Sequence, residues 1–342
     1  MTSTTPYGFR VVGSPFADRR LVDWQHAFRA YAELDERADV EREAYLSAFT
    51  FGADFRQYLD ATGTTKGFAG ACGSPWLWFD IDRPDLDAAT ADARRLAASL
   101  LERYRTLDAE SLLLFFSGSK GFHAGLPLSL CGSPAPAVTF NGTARRFAEM
   151  TAERLGFGID AGVYDRVRLF RAPNSRHPRT GRHKRRIAFD ELLHLGTPAI
   201  LRLAEQPEAF DVPDPPGPDP QAVADWRQAA ADVERAAKAR QERQATGDAA
   251  GRLNRSTLAF IRDGAATGDR HRLLFSAAAN LAELACPPAL AHELLTEPAL
   301  DSGLSPSEAR RQIDCGLAAV GSPTPAGNGA ATMTAADPPP RG

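Results

Sequence analysis

The chain has 342 residues, 43% of them hydrophobic, and a formal net charge of −3. That length suits two domains with tails, and the apolar content supports a sizeable core. No apolar run reaches the length of a membrane span, "MTSTTPYGFR" lacks the order of a signal peptide, and Cys72, Cys131, Cys286 and Cys315 are scattered without a CxxC pair, which excludes a disulfide scaffold and points to a reducing cytoplasm and no structural zinc.

The first 75 residues contain an amphipathic stretch, "LVDWQHAFRAYAEL", and a glycine-dotted approach, "TTKGFAGACGS", that reads as a turn or hairpin. "WLWFDID", residues 76–82, is a buried strand carrying Asp80 and Asp82 on one face, because positions i and i+2 share a face. Two ionised acids side by side in such a strand require a positive partner. "RPDLDAATADARRLAASLLERYRTL" sets leucines among alanines and predicts a helix. "SLLLFF" is a short strand, "SGSKG" a polar turn, and "FHAGLPLSL" a second strand. "GTARRFAEMTAERLG" is a helix closed by Gly156. "FGIDAGVY" and "RVRLFR" read as extended, "RRIAFD" as a final strand, and "DELLHL" as the start of a short helix.

The proline-rich "EQPEAFDVPDPPGPDPQ" reads as a solvated linker. "AVADWRQAAADVERAAKARQERQ" is helix-prone but poor in large apolar residues, as a bridging helix would be. From about residue 252 the pattern is all-helical, and Ser305, Pro306 and Glu308 form a capping box. The expected organisation is a first domain over 1–204, linker and bridging helix over 205–250, a helical module over 251–320, and a disordered tail over 321–342.

Three segments carry chemistry. Asp80 and Asp82, with a third acid nearby, could hold two divalent ions about 3.5–4 Å apart for displacement at phosphorus. Such D-x-D pairs also occur in glycosyltransferases and at ordinary strand ends. The "SGSKGFH" turn offers Ser117, Ser119, Lys120 and free N–H groups around Gly118 and Gly121, a cradle for a triphosphate; it is not a P-loop. His123 follows it. In the third segment Asp160 follows Ile159 as Asp80 follows Phe79, either at a strand edge or as a turn former, and Arg168 and Arg171 flank Leu169 and Phe170. Residues 166–186 hold nine Lys or Arg and no acid, a charge asymmetry suited to nucleic acid or polyphosphate.

Taken together and in order, "FDID", "SGSKGFH", "GID" and "D-x-GVY-x-R-x-R-x-FR" resemble the archaeo-eukaryotic primase superfamily, and within it the primase-polymerases of plasmid and phage type, over about residues 66–190. The resemblance implies an α+β fold: an RRM-like antiparallel palm sheet with an N-terminal α/β unit, followed by a small all-α domain like the helical module of many plasmid primases. It implies that Asp80, Asp82 and Asp160 are catalytic and bind two Mg²⁺ or Mn²⁺ ions. It implies further that Ser119, Lys120, His123 and Arg171, with Ser117, contact the incoming triphosphate. Where that family often has a lysine this chain has His177, with Arg176 adjacent and Lys184 further on. Arg168, Arg176, Lys184, Arg185 and Arg186 are expected along the template backbone. The implied activity is primer synthesis and extension on single-stranded DNA from NTPs or dNTPs, with a replicative helicase or other replication protein as partner, no membrane, and no helicase motif in this chain. An end-joining repair polymerase and a non-catalytic replication-initiation module are the competing readings.

Overall fold

The computed structural model describes residues 6–245, 253–266 and 268–319. The expected disordered tail, and the end of the expected linker, lie outside the described residues. The chain divides into two compact units, residues 1–237 and 238–342. The first is an α+β core with a curled antiparallel half-barrel, and the second is an all-α bundle.

Two antiparallel sheets build the first unit. One contains β1 (Tyr7–Val12), β2 (Arg20–Asp23), β3 (Ala44–Ser47), β4 (Thr50–Phe51), β5 (Cys72–Gly73) and, far along the chain, β9 (Leu169–Arg171). The other contains β6 (Trp76–Asp82), β7 (Leu113–Phe116), β8 (Gly121–Pro127) and β10 (Arg185–Arg186), in the order β10-β7-β8-β6. Helices α1 (Trp24–Ala32), α2 (Ala53–Thr62), α3 (Leu86–Arg103) and α4 (Phe140–Leu155) pack around them. Stacked Phe51 and Phe55, with Phe68 edge-on to both, seal the first sheet. Trp78 on β6 bridges the two sheets, its ring 6.3 Å from Phe115 and 5.1 Å from Phe170.

Local signals explain the main elements. Asp85 caps α3 by accepting from the N–H groups of Asp87 and Ala88, and Gly156 ends α4 in the left-handed conformation. The extended expectation for "FGIDAGVY" gives way to a 3-10 turn over Ala161–Tyr164, because the Asp160 carboxylate caps it through the Gly162 N–H. Short helices α5 (Phe189–His194) and α6 (Thr197–Leu203) follow β10.

The proline-rich stretch is not a free linker. Phe210 packs edge-on to Phe115, its N–H donates to the Ala32 carbonyl, and Asn174 bonds both backbone groups of Glu208. The amino-terminal part of α7 (Pro220–Ala245) is also docked: Trp226 lies against Phe140 and Phe147, and Asp225 receives Arg103 at 2.7 Å and the Tyr104 hydroxyl at 2.8 Å. The composition looked solvated because its few anchors, Phe210, Trp226 and Asp225, are spaced too widely to form an apolar stripe.

In the second unit α8 (Arg255–Asp263), α9 (Arg270–Glu283), α10 (Pro288–Asp301) and α11 (Pro306–Ala318) enclose Phe260, Leu274, Leu281, Leu295 and Ile313. Ser305 and Glu308 form the expected capping box. A Cβ at Gly316 would fall 2.6 Å from the Ala278 Cβ, so glycine there lets α9 and α11 approach closely.

Asp225 is 8% exposed at its side chain. Its burial raises the carboxyl pKa, but hydrogen bonds from Arg103, Tyr104 and Gln221 outweigh that and hold it below the ordinary range. Replacing Asp225 with Ala strands Arg103 and Tyr104, and urea unfolding should show a loss of about 3–5 kcal/mol.

Candidate active site

The register of β6 against β8 builds the site. Asp80 pairs with His123 and Asp82 with Gly121. A Cβ at Gly121 would stand 2.2 Å from the Ile81 carbonyl oxygen, so only glycine permits that approach. The hairpin before it closes through the Ser117 N–H donating to the Gly121 carbonyl. Gly118 adopts φ +87°, and Thr180 Oγ1 donates to its carbonyl, bracing the turn against the segment around His177.

The third acid is tied to the first by backbone: the Asp160 N–H donates to the Asp80 carbonyl at 3.2 Å. Tyr164 adds a hydrogen bond from its hydroxyl to the Trp78 carbonyl at 2.6 Å. Arg83, which the sequence did not single out, completes the tether. Its guanidinium reaches the Asp82 carbonyl, the Asp92 carboxylate on α3 and the Gly158 carbonyl, each at 2.8 Å. "D-I-D-R" carried that signal only as an arginine beside the motif.

Charges inside this frame are uneven. Asp80 is 17% exposed, and its Oδ1 is buried without a hydrogen-bond partner, 3.6 Å from His123 Nε2. Burial, then the Asp82 and Asp160 carboxylates, push the Asp80 pKa up to about 7. Asp82 pairs with Lys120 Nζ at 3.0 Å, and Asp160 lies 3.8 Å from Arg168 Nη2. Among the described residues, no three His, Cys, Asp or Glu side chains are arranged to ligate an ion. Asp80, Asp82 and Asp160 are therefore neighbours whose carboxylates do not converge on one point.

The other expected residues fall into two groups. Ser119 is partly exposed, Lys120 exposed, and Arg168 and Arg176 about half exposed, all available to a ligand. Ser117 is buried. His123 is 7% exposed beneath the acids, its ring 4.3 Å from Phe170, and burial followed by Lys184 and Arg171 holds it well below its usual pKa. His177 accepts the Arg179 and Thr180 N–H groups at Nδ1, and its burial drives its pKa down to about 4. Arg171 is committed to Glu43 and to the Tyr45 hydroxyl, partners more than 120 residues away that sequence reading missed.

Three of the expected template contacts are corrected. Lys184 is 1% exposed, donates to the Arg171 carbonyl and faces the rings of Trp78, Phe115 and Phe170. Arg185 is buried against Glu208, and Arg186 donates to the Asp211 and Glu110 carbonyls over the Phe210 ring. Lys184 and Arg185 are buried and Arg186 is half-buried because β10 pairs with β7 and the proline-rich strap bonds to it, so these charges serve the fold, whereas Arg168 and Arg176 stay about half exposed.

No protein-family model matches the chain, and no curated protein is similar to it. Among solved structures, it resembles the crystal structure of primase RepB′ at 14% identity and a TM-score of 0.35, over 94% of this chain and 91% of that one. So slight a likeness carries no argument.

Replacing Arg83 with Gln should cost about 1–3 kcal/mol and release residues 157–160, seen as faster amide exchange at Ile159 and Asp160. In divalent-free buffer, Asp80 contributes a loss of stability as pH rises from about 4 to about 7, against the gain that His123 and His177 contribute by staying neutral in the fold. Over that window folded Asp80 keeps a proton that the unfolded chain has lost. Asp80→Asn should remove that loss, so that urea midpoints rise more steeply with pH than in the wild type over this window.

Proposed function

We propose that the chain is a DNA-dependent nucleotidyltransferase of primase-polymerase type, making primers on single-stranded DNA and extending them with Mg²⁺ or Mn²⁺. One observation carries most of the weight: the buried, partnerless Asp80 oxygen beside two further acids. An oxygen-only donor set of that kind suits hard divalent ions. Asp80, Asp82 and Asp160 would hold them once the Asp82 and Asp160 carboxylates turn from Lys120 and Arg168 toward Asp80, and ions bound there would supply an activated 3′-hydroxyl and neutralise the leaving pyrophosphate. The motif resemblance supports the same reading.

The chain's own groups do the positioning. Lys120 and Ser119, the exposed and partly exposed residues of the turn, bind the triphosphate, Lys120 exchanging Asp82 for phosphate oxygens. His123 stays neutral beside Asp80 and adds no charge of its own to the acids. Arg171, held by Glu43 and Tyr45, is a positioning residue at the sheet edge rather than a direct phosphate ligand. Arg168 and Arg176 attract the template backbone. No side-chain nucleophile is needed, because transfer relies on alignment and electrostatics. Catalysis is assigned to residues 1–204, and the helical module over 251–320 to a supporting role with replication partners.

The pairing of Asp82 with Lys120 and Asp160 with Arg168 favours a second reading, a non-catalytic nucleic-acid module whose acids are already neutralised. A primer-free assay on defined single-stranded templates, with labelled NTPs and dNTPs and either Mg²⁺ or Mn²⁺, separates them. The wild type should make divalent-dependent products, and Asp82→Ala should abolish synthesis while template binding persists. Template binding with no synthesis under any metal would favour the second reading, and undiminished extension by Asp82→Ala would refute the metal assignment.

A further inference from the structure

We infer that the loop joining β1 to β2 is a stacking platform for an unpaired base of a single nucleic-acid strand, set at the rim of the acid site. Phe16, on this loop, is 95% exposed, more than any other large apolar side chain among the described residues. The loop that displays it is pinned by hydrogen bonds. The Gly13 N–H donates to the Glu43 carbonyl at 2.6 Å, and Ser14 receives the Phe16 and Ala17 N–H groups.

Beside the loop runs a groove of about 410 Å³ with an apolar surface from Pro15, Val167 and Leu169, and with Tyr45, Arg19 and Arg168 along it. Asp165 is the one acid lining it. Arg168 connects the groove to the acid site, its guanidinium 3.8 Å from Asp160. An exposed ring on the loop, and an apolar surface and two arginines in the groove beside it, match a strand whose bases offer π-faces and whose phosphates carry charge. A protein partner would call for a contiguous apolar patch, whereas Gly13, Asp18 and Arg20 around Phe16 are exposed and not apolar. The inference rests on the nucleic-acid side of the proposed function and not on its chemistry.

The test uses the full chain. Trp24, Trp76, Trp78 and Trp226 are all buried, so Phe16→Trp introduces the exposed indole of the described residues. Its emission should be quenched by an oligothymidylate and left unchanged by an abasic oligomer of equal length. Phe16→Ala should keep the wild-type melting temperature and bind the oligothymidylate about fivefold or more weakly by anisotropy, as loss of one base–aromatic stack predicts. Three results would overturn the inference: unmoved emission with unchanged Phe16→Ala affinity, equal quenching by the abasic strand, or an emission change that follows protein concentration alone and so reports a second copy. Quenching without primer synthesis by the wild type would uphold the platform while the catalytic reading falls.

Discussion

The pairing of β6 with β8 is the constraint on which the site depends. Because the strands run antiparallel with Asp80 opposite His123 and Asp82 opposite Gly121, two acids, a neutral imidazole and a tight turn are brought to one end of a sheet. The 2.2 Å that a Cβ at Gly121 would leave to the Ile81 carbonyl shows how closely the strands meet there. A slip of one residue would turn both carboxylates to the opposite face and bury them against the helices.

Charge is managed around that register in layers. The outer acids, Asp82 and Asp160, meet exposed cations, whereas Asp80 has a neutral histidine beside it and feels Lys184, and more weakly Arg168, without a direct pair. Lys184 is itself driven well below its usual pKa by burial, with Arg171 adding to the effect and Asp80 opposing it. Three aromatic rings surround its ammonium, a setting that stabilises a cation with little water. The centre of the site is thus a carboxyl pushed toward protonation by burial and by its acidic neighbours, with its counter-charges partly supplied from inside the fold.

Two long-range devices keep the acids together. Arg83 ties the end of β6 to α3 and to the segment carrying Asp160, and Trp78 joins the two sheets through Phe115 and Phe170. The first sheet then serves as a wall: Tyr45 and Arg171 sit on its β3–β9 edge, and the β1–β2 loop projects beside them. Residues around the acids therefore come from segments far apart in the chain, such as Tyr45 on β3 and Arg171 on β9.

Where signals are local, sequence reading and structure agree. Leucine spacing marks α3, the apolar runs mark β7 and β8, Gly156 ends α4, and the Ser305–Glu308 box opens α11. The motif spacing likewise singled out Asp80, Asp82 and Lys120, which the structure brings to one place. The basic run over 166–186 misled in part, because charge in a sequence says nothing about which side of a sheet it occupies; β10 and the strap of residues 205–219 draw Lys184 and Arg185 inside and leave Arg186 half-buried. The sequence by itself determined β6 to β8, α3, α4, the cap of α11 and the set of acids, since each depends on neighbours within a few residues, but it did not show strands β1 to β4 or the turn after Asp160. Only the tertiary structure decided which cations are buried, which are free, and that Arg83, Glu43 and Tyr45 belong to the site, because those choices follow from contacts between segments that no periodicity connects.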